Sequence, residues 1–168
     1  GVDARWEVMK GNAAFFSATK ALHNSLQGQK ALITKEMLNS YIETNRENAR
    51  NLSLEGDLVL IHDPQPAPLI QYRPPVGKWL WRCHIDLSHP QWPAWRAIRR
   101  FVKKYDAAVF SLPKFAQRLP IPQYLVYPSS DPLSKKNCDL SPTEIDEILA
   151  RLAIPRDKPI LLQVSRFD

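Results

Sequence analysis

The spacing of apolar residues changes repeatedly along the chain, and this alternation predicts a mixed α/β fold. Apolar side chains three and four residues apart predict helices over residues 14–26, 35–52 and 95–105. Short apolar runs predict strands, which cover residues 4–9, 57–61, 78–82, 107–110, 123–127 and 159–164. Short strands that alternate with amphipathic helices are typical of a parallel sheet, so we expect a Rossmann-like α/β domain.

A further helix is marked by the residues at its start. Ser141-Pro142-Thr143-Glu144 contains the serine and the glutamate of a capping box, with proline in the first turn. We place the boundary between two Rossmann-like units before this helix, near Asp131-Pro132. Residues 1–132 then form a first domain, and residues 133–168 contain a linker, a helix and the first strand of a second domain. Because the first and last predicted strands lack neighbouring elements, we expect the sequence to be part of a longer polypeptide.

The basic balance of the chain raises the question of nucleic-acid binding. The sequence has 23 Lys and Arg against 17 Asp and Glu, which gives a net charge of +6. The dense basic cluster lies on the predicted helix 95–105, and it consists of Arg96, Arg99, Arg100, Lys103 and Lys104. Aromatic residues are not interleaved with this cluster, and no nucleic-acid-binding motif is present. We therefore interpret it as a solvated helix face and expect no nucleic-acid partner.

Targeting features and cysteine usage favour a cytoplasmic protein. No apolar run reaches the roughly 18 residues that a membrane span requires, so no membrane partner is expected. Residues 1–6 lack the pattern of a signal peptide. Cys83 and Cys138 lie far apart in the sequence and predict reduced, structural thiols.

Polar side chains follow two of the predicted strands at the point where each strand ends. His62-Asp63-Pro64 follows one strand, and Arg82-Cys83-His84-Ile85-Asp86 ends the next. Because ligands of open α/β sheets bind at the carboxyl ends of the strands, these residues are candidates for a site. Carboxylates accept hydrogen bonds from hydroxyl groups, and imidazole both donates and accepts them, which suits sugar recognition.

On spacing alone, the His-Asp pair is compatible with two more roles. The pair could cap the following helix, or it could belong to a metal-dependent phosphohydrolase. The phosphohydrolase role is weakly supported, because His23 and His89 form no recognisable ligand set with the pair.

Three longer motifs occur in a fixed order along the chain. They are His62-Asp63-Pro64-Gln65-Pro66, Trp79-Leu80-Trp81-Arg82-Cys83-His84-Ile85-Asp86-Leu87-Ser88 and Pro128-Ser129-Ser130-Asp131-Pro132-Leu133-Ser134. In these motifs the chain resembles the trehalose glycosyltransferring synthases and the related trehalose phosphorylases. Residues 20–28 and 45–48 and the final six residues, 163–168, are also similar to that group.

The resemblance implies a retaining GT-B glycosyltransferase, with two Rossmann-like domains and the active site between them. The implied reaction transfers glucose from a nucleotide donor, such as UDP-glucose or ADP-glucose, to glucose and so forms trehalose. No cofactor and no metal are implied, because GT-B enzymes stabilise the leaving diphosphate with basic side chains and a helix N-terminus.

The resemblance also implies roles for individual residues. His84 matches a histidine near the transferred sugar, and Asp63 matches an aspartate that binds acceptor hydroxyls; these two are the expected catalytic residues. His62, Arg82 and Asp86 are the expected acceptor-binding residues. The arginine of the closing Ser-Arg element, Arg166, matches one that holds the donor diphosphate. The implied mechanism is front-face attack through an oxocarbenium-like state, in which the leaving phosphate takes the acceptor proton.

The sequence departs from the family pattern in composition and in extent. Tyr127-Pro128-Ser129-Ser130 stands where the family has Pro-Pro-Ser-Ile. The glycine-rich loop of the acceptor domain, the diphosphate lysine and the acidic pair of the donor domain are absent, so we expect this polypeptide alone not to catalyse transfer. A trehalose phosphorylase, a transferase with another acceptor and a non-catalytic sugar-binding remnant remain alternatives. A homodimer formed through the strand 159–164 also stays open.

Overall fold

A four-stranded parallel sheet organises the larger part of the chain. In the computed structural model, which describes residues 1–163 without the side chain of Lys135, the strands are β1 (Leu58–His62), β2 (Lys78–Cys83), β3 (Ala107–Phe110) and β4 (Gln123–Leu125). They lie in the order β1-β2-β3-β4, and each neighbouring pair is parallel. The helices are α1 (Ala13–Leu26), α2 (Lys35–Ala49), α3 (Trp92–Val102) and α4 (Pro142–Arg151). The predicted Rossmann-like α/β fold is thereby confirmed.

The core lies on one face of this sheet. Trp79, Trp81 and Cys83 alternate along β2, and all three have no exposed surface. They belong to one apolar cluster with buried side chains of α1, α2 and α3. On β1, by contrast, Leu58 and Leu60 are 62% and 44% exposed. The helices therefore bury the face of the two tryptophans and leave part of the opposite face in solvent.

Helix α3 begins three residues earlier than its apolar spacing predicts and ends at Val102. Pro93 occupies its first turn, where the missing N–H costs no hydrogen bond. Trp95, Ile98 and Phe101 are buried on one side of the helix. Arg96 and Arg100 are exposed on the other side, and Lys103 and Lys104 are exposed directly after the end of the helix. The cluster is thus a charged outer face of an amphipathic helix.

The strand predicted over residues 4–9 is not formed. Arg5 Nη2 donates to the carbonyl oxygens of Ser53 (3.1 Å) and Glu55 (2.6 Å). Asn48 accepts from the N–H of Lys10 at 2.8 Å and donates to its carbonyl at 2.7 Å. This segment is therefore held by side-chain hydrogen bonds to its neighbours, and it has no ladder of backbone bonds with β1.

The last predicted strand is also not formed over its described part. Residues 159–163 are irregular, and Val164 lies outside the described residues. Ile160, Leu161 and Leu162 are exposed. Within residues 129–163 there is no other strand to offer this segment a ladder, and a parallel strand needs such a neighbour.

The chain divides into two compact units, residues 1–128 and residues 129–168. The first contains the sheet and α1 to α3, and the second contains α4. The capping box of α4 is confirmed: Ser141 Oγ accepts from Glu144 N at 3.3 Å, and Glu144 Oε2 accepts from Ser141 N at 2.9 Å. The assignment of residues 1–132 and 133–168 to separate GT-B domains stays a prediction. None of the helices in residues 1–163 has the length and apolarity that a membrane span requires.

Candidate active site at the carboxyl edge of the sheet

Three of the predicted site residues meet because β1 and β2 are parallel and in register. His62 is paired with Arg82 across the two strands, so the residues that follow them emerge at the same edge. This arrangement brings His62, Asp63 and His84 together. Arg166 lies outside the described residues, and its predicted role stays a prediction.

The two histidines form a hydrogen-bonded pair. His62 Nδ1 lies 2.9 Å from His84 Nε2, and the two rings are nearly parallel, with an interplanar angle of 8°. His62 is half-buried and His84 is exposed. One ring must donate and the other accept, so the bond requires that at least one of them is neutral.

A neutral pair presents a fixed pattern to a ligand. If His62 Nδ1 carries the shared proton, His84 donates from Nδ1 and His62 accepts at Nε2. If His84 Nε2 carries it, the roles of both outward nitrogens are reversed. In either tautomer the pair offers one donor and one acceptor, which matches a hydroxyl group that donates and accepts.

Asp63 is oriented by three hydrogen bonds to the end of β2. Its N–H donates to Arg82 O at 2.8 Å, and its carbonyl accepts from Trp81 Nε1 at 2.9 Å. Its carboxylate oxygen Oδ1 accepts from the N–H of His84 at 2.8 Å. The carboxylate therefore ties the turn after β1 to the residue that bears the second imidazole.

The backbone of Asp63 adopts the left-handed conformation, with φ of 66°. This conformation costs about 1–2 kcal/mol for most residues, although aspartate tolerates it better than most. The three hydrogen bonds to β2 offset that cost. Backbone strain of this kind concentrates at functional sites, which adds weight to the choice of this edge.

His62 is held towards its neutral form. Burial lowers the pKa of His62 below its ordinary value of 6.5, and the neighbouring His84 and Arg82 lower it further, while Asp63 acts in the opposite direction. His62 itself is therefore neutral at neutral pH, as the hydrogen bond between the two rings allows.

Arg82 and Asp86 are placed differently from the histidine pair. Arg82 is buried, and its Nη2 donates to Val126 O at 2.7 Å and to Ser111 Oγ at 3.3 Å, while Nη1 has no partner within residues 1–163. Asp86 accepts from the N–H of Ser88 at 2.8 Å and from its hydroxyl, and these bonds lower the pKa of Asp86. Arg82 thus joins three strand ends, and Asp86 stabilises its own loop.

Cys83 lies between Arg82 and His84 and is buried. Burial raises the pKa of its thiol well above the ordinary value, so the sulfur stays protonated and packs in the core. The described residues contain no group of three His, Cys, Asp or Glu side chains that could hold a metal ion.

Trp6 also belongs to this edge, although no role is predicted for it from the sequence. Its ring lies 5.6 Å from the ring of His62, and 80% of its surface is exposed. The apolar pattern places Trp6 inside a strand with Arg5 and Glu7 on either side. An aromatic residue flanked by charges is the available signal, but it does not by itself distinguish a core position from a binding surface.

The fold and the site together define a parallel α/β domain with a cluster of two imidazoles and a carboxylate at the carboxyl edge of its sheet. Sequence comparison makes the assignment specific. The chain belongs to the family of the trehalose synthase N-terminal domain, and the match covers residues 1–117. The resemblance that the motifs carry is thereby confirmed.

Curated relatives extend the similarity to the whole chain. It is 49% identical to a trehalose synthase of Pyrococcus horikoshii, 47% to one of Thermococcus litoralis and 37% to one of Rubrobacter xylanophilus. Each alignment covers all of this chain but 41% or 42% of the relative. The chain therefore spans about two fifths of the length of these relatives.

Proposed function

We propose that this chain is the acceptor-side part of a retaining GT-B glycosyltransferase that transfers glucose from a nucleotide-glucose donor to glucose and forms trehalose. The observation that carries the proposal is the cluster of His62, Asp63 and His84 at the carboxyl edge of the sheet. The family and the names of the relatives support trehalose chemistry in particular.

In this proposal the cluster binds and orients the acceptor sugar. One acceptor hydroxyl donates to the Asp63 carboxylate, whose Oδ1 is already positioned by the N–H of His84. The outward nitrogens of the histidine pair bind a second hydroxyl through one donor and one acceptor. The role of these residues is positional, since a correctly held nucleophile removes much of the entropic cost of the reaction. The leaving phosphate takes the proton of the attacking hydroxyl.

The proposal extends to the partners of the complete protein. Its substrates are a nucleotide-glucose and glucose, with UDP-glucose and ADP-glucose as the candidate donors, and trehalose is the product. It needs no metal and no other cofactor, acts in the cytoplasm, and binds neither nucleic acid nor membrane. Arg82 and Asp86 support the acceptor pocket, and Arg166 holds the donor diphosphate.

A chimeric enzyme tests the activity directly. The region of the Pyrococcus horikoshii relative that matches this chain is replaced by the chain, and trehalose formation from UDP-glucose or ADP-glucose plus glucose is measured. We expect activity in the chimera. The substitution Asp63→Asn is expected to lower kcat/KM about 100-fold, because charge-assisted hydrogen bonds to the acceptor are lost and orientation suffers.

A matched variant separates a specific role from a general loss. His89→Gln changes an exposed histidine in the loop after β2, outside the cluster, and is expected to keep the activity of the chimera. A folded chimera that forms no trehalose with any donor would contradict the proposal. So would an Asp63→Asn chimera as active as the His89→Gln chimera.

A further inference from the structure

Three consecutive peptide carbonyls follow β1, and each accepts a hydrogen bond from a buried side chain. The donor and acceptor pairs are Trp81 Nε1 with Asp63 O (2.9 Å), Tyr41 Oη with Pro64 O, and Asn45 Nδ2 with Gln65 O (3.0 Å). The donors belong to β2 and α2, and none of the three residues has exposed surface. The core of the domain therefore holds the turn that carries the Asp63 carboxylate.

Tyr41 and Asn45 contact this turn from the same side of α2, because residues four apart lie on one face of a helix. Asn45 Nδ2 also donates to Tyr41 O at 2.9 Å, so its amide bridges the helix and the turn. Burial raises the pKa of Tyr41 well above its ordinary value of 10, so the hydroxyl keeps its proton. Tyr41 is therefore a donor to Pro64 O at neutral pH.

Few backbone donors are available in the turn itself. Pro64 and Pro66 have no N–H to donate, so this segment cannot form a regular ladder of backbone bonds. Asp63 adopts the left-handed conformation, which persists only where surrounding contacts fix it. A shift of Pro64 would move the adjacent Asp63, whose Oδ1 accepts from the N–H of His84 at 2.8 Å. The bond from Tyr41 to Pro64 O thus bears on the geometry of the site, although Tyr41 lies outside it.

We propose that Tyr41 is a positioning residue for the acceptor site: its hydroxyl fixes Pro64 and thereby holds the Asp63 carboxylate in the orientation that binds the acceptor sugar. The inference rests on the acceptor-binding role proposed above for Asp63. Tyr41 has no exposed surface, so it acts through Asp63 and does not contact the sugar.

Tyr105 offers a matched control for Tyr41. It is 2% exposed, and its hydroxyl also donates to a backbone carbonyl, Ala67 O, at 2.9 Å. Tyr41→Phe and Tyr105→Phe each remove one buried hydroxyl donor and keep the aromatic ring, so both are expected to lower the urea midpoint by similar amounts. The Tyr41→Phe chain is expected to fold, since Pro64 O also accepts from the N–H of Ala67 at 3.2 Å.

Hydrogen exchange of the His84 amide measures the placement of the turn without any assay of activity, because this N–H donates to Asp63 Oδ1. NMR of the 168-residue chain follows this exchange in both variants. Tyr41→Phe is expected to accelerate it roughly fivefold relative to Tyr105→Phe, the fold-change that corresponds to one typical buried hydrogen bond. A role of Tyr41 in stability alone would accelerate it equally in the two variants.

The chimeric enzyme described above tests the consequence for the acceptor. Tyr41→Phe is expected to lower kcat/KM for glucose roughly fivefold and to leave the KM of the nucleotide-glucose within about twofold, whereas Tyr105→Phe leaves both within about twofold. In a chimera that also carries Asp63→Asn, Tyr41→Phe is expected to add no more than about twofold, because the charge that it positions is already absent.

The inference is overturned if the two tyrosine variants have the same effect on His84 exchange. It is also overturned if Tyr41→Phe lowers kcat/KM as much in the Asp63→Asn chimera as in the unaltered one. An inactive chimera contradicts the glycosyl-transfer function instead, and the exchange of the His84 amide then decides whether Tyr41 holds the turn of Asp63.

Discussion

His62 and His84 share one hydrogen bond, and this contact determines which ring nitrogens remain to donate and to accept hydrogen bonds from a ligand. The bond joins Nδ1 of one ring to Nε2 of the other over 2.9 Å, and the carboxylate of Asp63 holds the backbone of the residue that bears the second ring. A doubly protonated pair cannot keep the bond, because both nitrogens would then donate. If the pair binds an acceptor hydroxyl as proposed, this binding is expected to weaken in acid.

The pKa of His62 is the measurable consequence of this arrangement. The substitution His84→Ala removes an imidazole whose positive charge lowers the pKa of His62, and it also exposes His62 to solvent. The pKa of His62 is therefore expected to rise. A titration of the imidazole resonances by NMR measures it. His89→Ala, in the same loop, serves as the control and should leave the pKa of His62 unchanged; an unchanged or lower pKa in the His84→Ala chain would contradict the prediction.

The lowered pKa of His62 also determines how the free energy of unfolding changes with pH. Because the pKa of His62 in the folded chain lies below 6.5, the unfolded chain binds the proton first as the pH falls. The contribution of His62 to the free energy of unfolding is complete above pH 6.5 and is lost as the pH falls through the folded-state pKa.

The sequence could identify the members of this site but not their geometry. His62, Asp63 and His84 follow from the rule that polar residues after parallel strands meet at one edge. The left-handed backbone of Asp63 and the bond between the rings depend on the register of β1 and β2, which no local pattern encodes. Arg82 has the same strand-end signal, yet its guanidinium turns towards Val126.

Among the elements, the N-terminal segment is held by α2. The side chain of Asn48 is buried and makes three hydrogen bonds: two with the backbone of Lys10, and one, at 2.7 Å, with Thr44 O. The segment before Lys10 carries Trp6 to its position beside His62. A helix side chain thus anchors the segment through backbone groups that a neighbouring strand would bind in a sheet.

Loss of that side chain should release the segment. Asn48→Ala is expected to lower the free energy of unfolding by roughly 2–3 kcal/mol, because a buried side chain loses its three hydrogen bonds, two of them with the backbone of Lys10. Urea unfolding measures this change, and hydrogen exchange of residues 5–11 should accelerate. Asn51→Ala removes one exposed bond to Glu47 O and is expected to change stability by less than about 0.5 kcal/mol. Equal effects of the two substitutions would refute the role given to Asn48.

Element boundaries show where sequence periodicity stops being informative. β3 is formed over the predicted residues, because its apolar run is buried on both sides. β4 ends at Leu125, two residues before its apolar run does, and the carbonyl of Val126 is bonded to Arg82 instead. Residues 4–9 have a strand pattern but no ladder, since strand formation depends on a partner that periodicity cannot supply.

For the molecule as a whole, the stabilising core belongs to the first unit. Its buried apolar side chains run from Phe15 to Phe110, and the half-buried ones that pack on them extend to Ile121. α4, in the second unit, has no buried residue. Residues 1–128 therefore contain the apolar burial that folding requires.

A truncation at Pro128 tests this independence. The chain 1–128 is expected to keep the dispersed amide spectrum that residues 1–128 show in the longer chain. A matched truncation at Ile121 removes β4 and the Val126 carbonyl, leaves the buried Arg82 guanidinium without its closest acceptor, and should cost about 3 kcal/mol or more. Collapse of the 1–128 spectrum would show that the core is not self-sufficient. Equal stability of the two truncations would contradict the contribution given to β4 and to the bond between Arg82 and Val126.

β1 has a ladder partner on its β2 side alone within the described sheet, and its side chains Leu58 and Leu60 are exposed. An open strand edge with apolar side chains is a template for a strand of another molecule. Pairing of this edge between two copies would make melting temperatures and apparent affinities depend on protein concentration, so variants are to be compared at equal concentration.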